Sequence, residues 1–254
     1  MKTIRHTWLL FRRSVRLTLR NPVWVIIGLF QPLCYMLLFA PLLQPLSNVP
    51  GFPPGGALTV FTPGVLIMMA IFGTAFNGFG LIYDLQAGVI ERLRVTPVSR
   101  WALLLGLVLR DVVVLLIQSL LLVLIALPLG VHINPLGLLL TLGLMVLVAL
   151  CLSSCSYALA LMLRDANALA SFLNTLSLPA LLLSGITLPL TLAPPIIQHV
   201  ALVDPFAYVV NAARLLFRGV MVNGTILEGY IIMAVLALLA MIWGVRAFLR
   251  AAAV

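Results

Sequence analysis

What most constrains this chain is a series of long apolar runs with almost no charge inside them. Six stretches, at about 23–43, 63–83, 101–128, 136–163, 166–190 and 226–248, are each long enough to cross a bilayer core, which takes roughly 20 helical residues. Hydrophobic residues fill 63% of the 254 positions and charged ones 8%, against about a quarter charged in a soluble domain. The expected fold is an all-α polytopic membrane protein with six transmembrane helices. Residues 1–254 form a single transmembrane domain in this reading.

The basic residues orient these spans. Lys2, Arg5, Arg12, Arg13, Arg16 and Arg20 precede the first run. Arg92, Arg94, Arg100 and Arg110 follow the second, Arg164 follows the fourth, and Arg246 and Arg250 close the chain. Only Arg214 and Arg218 fall on the opposite side. Basic residues collect on the cytoplasmic side, so both termini are expected there, and six spans satisfy that parity. The formal charge of +9 then reads as anchoring to anionic lipid, with no nucleic-acid partner expected. Residues 1–22 form an amphipathic interfacial helix in this reading. Ile4, Trp8, Phe11, Val15 and Leu19 share one face, and arginines share the adjoining one. The long arginine-rich lead and the missing small-residue cleavage site argue against a signal peptide. Cys34, Cys151 and Cys155 lie in apolar runs without a nearby His or carboxylate, so they read as packing residues.

Lys2 is the sole lysine. A P-loop needs a lysine after its glycine-rich turn to reach the nucleotide phosphates, so the chain is expected to hold no ATPase site of its own. No catalytic residue, metal ligand or bound cofactor is expected in it. Asp84, Glu91, Asp111, Asp165, Asp204 and Glu228 read as lying toward span ends or outside them, which counts against an ion-coupled carrier. An intramembrane serine protease fits poorly, because Ser184-Gly185 lacks the preceding glycine of a Gly-x-Ser-Gly motif.

Three regions carry the mechanistic expectations. Residues 84–100 form the one sizeable polar cytoplasmic loop. Gly88 allows a sharp exit from the second span and Pro97 stops a short helix striped with Val89, Ile90 and Leu93. Residues 191–220 are too apolar for an ordinary loop and read as two re-entrant extracytoplasmic helices broken at Asp204-Pro205, a lid before the last span. Asn77, Asn167, Ser171 and Asn174 are polar positions at membrane depth that either bond between helices or line a route. Ala70, Thr74 and Gly78 form a small-residue seam. Arg110-Asp111 and Arg164-Asp165 are expected to cross-pair between the third and fourth spans.

The chain resembles ABC-2-type export permeases, especially the daunorubicin-resistance type. The resemblance rests on Pro63-Gly64, on Asp84, Gly88 and Glu91-Arg92, and on the close Pro97 to Arg100. It continues in Ser184-Gly185 with Pro189, in Pro194-Pro195, and in Asp204-Pro205 with Tyr208 and Arg214. Leu188, Asp204 and Ala207 depart from the Phe, Asn and Thr more usual there. The resemblance implies a dimeric exporter, with a second copy or a paralogue, in a bacterial or archaeal plasma membrane. It would dock two cytosolic ATP-binding subunits that hold ATP and Mg. Asp84, Gly88, Glu91, Arg92 and Leu93 would form the coupling surface, with Arg12, Arg13 and Arg16 in support. Gly185, Pro189, Pro194 and Pro205 would shape the lid. The substrate would be a lipophilic drug, a lipid or a glycoconjugate. The alternative is an ATP-independent channel or secondary carrier.

Overall fold

The computed structural model describes residues 7–9, 11–12, 14–16, 23–43, 45, 56–88, 100–131, 133–186 and 190–251. Among these there is no strand. Nine helices follow one another: α1 (Val23–Leu43), α2 (Gly56–Ala75), α3 (Gly78–Gln86), α4 (Arg100–Ala126), α5 (Pro135–Leu163), α6 (Ala166–Leu183), α7 (Pro195–Ala201), α8 (Pro205–Phe217) and α9 (Gly224–Ala251). Five crossings are long and apolar enough to span a bilayer: α2 with α3, then α4, α5, α6 and α9. The 21-residue α1, about 31 Å long at 1.5 Å per residue, has the length of a further one.

Local chemistry sets the ends. Asn134 starts α5 by accepting from the amides of Leu136 (3.0 Å) and Gly137 (3.4 Å), ahead of a proline whose missing N–H costs nothing in a first turn. Arg164 closes α5 in a left-handed conformation at φ 52°. Asp165 immediately caps α6, accepting from Asn167 at 2.6 Å and Ala168 at 3.0 Å.

Two boundaries differ from expectation. The second crossing begins at Gly56 rather than Pro63, with Pro63 inside the helix, where neighbouring helices cover the backbone it disturbs. It is also broken, with α3 a separate helix. The fifth crossing stops at Leu183 rather than residue 190, because Gly185 turns the chain at φ 69°, a conformation glycine adopts without strain.

The bundle is built around α5, which packs most extensively on α9 and also touches α2, α3, α4, α6 and α8. Two apolar clusters divide the interior. The outer one joins α2, the far half of α4, the first half of α5, Ile186 and α8. The inner one joins Leu81 and Ile82 of α3 to Leu103, Leu104 and Val108 of α4, Tyr157 and Leu161 of α5, and Val245 and Phe248 of α9.

Candidate functional site

The lid is anchored from within. α7 and α8 meet at a bend of 99°, and the Asp204 side chain starts α8 by accepting from the Phe206 amide at 3.0 Å, with Pro205 in the first turn. α8 is not a surface cap. Ala207, Val209, Val210, Ala212, Ala213, Leu216 and Phe217 are all buried, against α2, α5 and α9. α7, in contrast, leaves Ile196 and Val200 exposed.

Arg214 fixes α8 to the rest of the protein. Its guanidinium, 6% exposed, donates from Nε to the Val60 carbonyl at 3.2 Å, and from one terminal nitrogen to the carbonyls of Gly185 (2.7 Å) and Ile186 (3.3 Å). A planar fork of donors suits such a cluster of carbonyls, and a buried cation requires them. Gly64 completes the junction: a Cβ there would stand 2.7 Å from the Ile186 oxygen. Pro63-Gly64, Gly185 and Arg214 are far apart in sequence and meet at one point.

A second polar centre lies in the inner half. Arg110 Nε and a terminal nitrogen donate to Asp111 Oδ1 at 3.0 and 2.7 Å. The Tyr157 hydroxyl donates to Asp111 Oδ2 at 2.6 Å and accepts from Arg110 at 3.0 Å. Every oxygen of the buried carboxylate is engaged. The expected cross-pairing with Arg164-Asp165 is therefore incorrect. Asp165 is used as a helix cap, Arg164 turns back to the Leu161 carbonyl, and the long Arg110 side chain reaches its own neighbour. Asp111 also lies further into its span than expected. It is the twelfth residue of the 27-residue α4, near the helix midpoint rather than its entry end.

Of the other expected residues, Asp84 sits in the last turn of α3, not in a loop. Gly88 follows it in the left-handed conformation at φ 68°. Glu91, Arg92 and Leu93 fall outside the described residues, as do Arg13 and Pro189. Arg12 and Arg16 are exposed on helical turns where Trp8 and Phe11 share a face, their ring centroids 5.5 Å apart. Pro194 is the N-terminal cap position of α7. Asn167, Ser171 and Asn174 are all exposed on α6, and Asn77 is half-buried. The seam of Ala70, Thr74 and Gly78 is buried as expected. Sequence reading missed Tyr157 and Ser156, because a lone hydroxyl in an apolar run carries no sign of what it faces.

An α-helical bundle of membrane-length crossings, with a bent helix pair packed into it through α8, defines an integral membrane protein. The chain belongs to the ABC-2 type transporter family, whose model matches residues 5–217. It is 28% identical over 220 residues to the protein named "Putative transport permease ycf38" of Cyanophora paradoxa, covering 84% of this chain and 74% of that one. The protein of the same name from Pyropia yezoensis is 30% identical over 223 residues, covering 85% and 75%. The Porphyra purpurea protein is 26% identical over 205 residues, covering 78% and 69%.

Proposed function

We propose that this chain is the membrane subunit of an ABC exporter, moving a lipophilic drug, lipid or glycoconjugate with ATP hydrolysed by a separate cytosolic subunit. The family match, which runs without interruption through the second crossing, the cytoplasmic loop and the lid, carries this reading. The sole lysine at position 2 agrees with it, since phosphate binding then belongs to the partner. Two ATP-binding subunits, each with ATP and Mg, dock on Asp84, Gly88, Glu91, Arg92 and Leu93, with Arg12, Arg13 and Arg16 alongside. Both termini face the cytoplasm.

The exposed face of α6 supports a second permease copy or paralogue. Asn167, Ser171 and Asn174 lie there beside Leu178 and Leu182. Polar side chains at this depth face a partner or a wet cavity rather than lipid, so this face lines the route between two copies. The lid, with Gly185, Pro189, Pro194 and Pro205, closes its outer end. The second reading, a secondary carrier, is favoured by the depth of Asp111. Against it stands the closed network that leaves Asp111 no open oxygen.

The test is gentle extraction of this chain from its native membrane and mass spectrometry of what accompanies it, with Glu91→Arg in parallel. A stoichiometric cytosolic ATPase that the substitution removes is the expected result. Its absence from the native chain would overturn the ATP-driven reading in favour of a channel or carrier.

A further inference from the structure

The break between α2 and α3 is closed by a side chain from another helix. In a continuous helix the Ala75 carbonyl would accept from the Phe79 amide, and the Gly78 amide would donate to the Thr74 carbonyl. Here Phe79 bonds to Phe76 (3.2 Å), and the Thr74 carbonyl takes the Asn77 amide (3.3 Å). Both orphaned groups meet the Ser156 hydroxyl of α5. It accepts from the Gly78 amide at 2.8 Å and donates to the Ala75 carbonyl at 2.5 Å. Gly78 is required for that approach, since a Cβ would lie 2.7 Å from both oxygens of Ser156.

The break also falls on the boundary between the two apolar clusters. The buried residues of α2 from Phe61 to Ile71 lie in the outer one and its last residue, Ala75, touches the inner one, to which α3 contributes Leu81 and Ile82. At the far end of α3, Tyr83 and Gln86 are exposed. So the nine residues of α3 are clasped at their start by one hydroxyl and run directly into the loop assigned above to the ATP-binding subunit.

We propose that α3 is a lever, hinged at residues 75–78 with the Ser156 hydroxyl as its clasp. Ser156 is a positioning residue that sets where α3 stands relative to the core. The use of the lever in coupling rests on the function proposed above; the hinge itself does not.

Spin labels at Gln86→Cys and Met162→Cys, both exposed positions, report α3 against the end of α5 in the full chain in nanodiscs, with Cys34, Cys151 and Cys155 replaced by alanine. Labels at Gly73→Cys and Leu139→Cys report α2 against α5. Ser156→Ala is expected to broaden the first distance distribution and move its mean by roughly 2–5 Å, between a sliding shift and a one-turn step, and to leave the second unchanged. Gly78→Ala, whose Cβ would stand 2.7 Å from both oxygens of Ser156, is expected to broaden the first pair alone, and serves if Ser156→Ala does not fold. An unchanged first pair, or equal broadening of both pairs, would overturn the lever. With the ATP-binding subunit bound, ATP and vanadate should shift the first pair only. No shift, with the hinge results intact, would refute the coupling role and spare the hinge.

Discussion

Arg214→Ala is the sharpest test of how the lid is held. The substitution removes three hydrogen bonds, to the carbonyls of Val60, Gly185 and Ile186, and leaves those oxygens at a site closed to water. Hydrogen bonds from a charged donor contribute about 1.5–3 kcal/mol each. Burying a cation costs several kcal/mol even when it is paired, and that cost vanishes with the side chain. Discounting for it and for sharing of one nitrogen between two carbonyls, the expected loss is about 3–5 kcal/mol. For a chain of this size 1 kcal/mol moves the midpoint by roughly 2–4 °C, so Tm should fall by roughly 6–20 °C. Cys151 is buried whereas Cys34 and Cys155 are half-buried, so with those two replaced by alanine the reaction of Cys151 with a thiol-selective fluorogenic maleimide during heating reports unfolding. Arg214→Lys keeps the charge but not the fork, and should recover part of the loss. A midpoint for Arg214→Ala within about 2 °C of the parent, less than the smallest shift that a single kcal/mol produces, would refute the idea that this cation secures the junction.

Gly64→Ala places a methyl 2.7 Å from a backbone oxygen that cannot easily retreat, and should cost about 1–3 kcal/mol as overpacking. Gly73→Ala, with nothing within 4 Å, should leave the same thermal midpoint equal or higher; the reverse order would discredit the close approach. Tyr157→Phe takes away the 2.6 Å bond to Asp111 and should cost about 1–3 kcal/mol. In an Asp111→Asn background the same change should cost measurably less, and a double-mutant cycle with no coupling would show that the network is not one unit.

Much of the fold was legible because lipid permits so few solutions. An apolar run of twenty residues is a helix wherever it lies in a bilayer, so the crossings and the bent pair at Asp204-Pro205 could be read from composition and proline alone. The two boundary errors have different causes, Gly185 turning the chain early after the fifth crossing and Pro63 lying inside the second. Pro63 reads as a helix start in isolation, but a buried helix tolerates it where neighbours cover the disturbed backbone. Charge pairing was harder. Arg110, Asp111, Arg164 and Asp165 were visibly out of place in apolar surroundings, yet their partners depend on which helix ends where. Asp165 is drawn to the free amides of α6, and that local bond removes it from any longer-range pairing. Ser156 left no trace, since its role exists only because a different helix breaks opposite it.

The two polar centres are joined by α2. From Val60, which receives Arg214, to Ala75, which receives Ser156, are fifteen residues, about 22 Å of helix. Every side chain from 59 to 71 is buried, and Gly64 presses on backbone at the outer end. A helix so enclosed has no free face along which to slide, and close-packed interiors yield by switching between packings rather than by bending. The motion proposed for α3 must then be taken up where the ladder of backbone bonds is already open, at residues 75–78. That places the compliant point below α2 and keeps the Arg214 junction still. The far end of α3, where Tyr83 and Gln86 are exposed, is thus the part of the second crossing free to move, while α2 and α8 stay packed on α5.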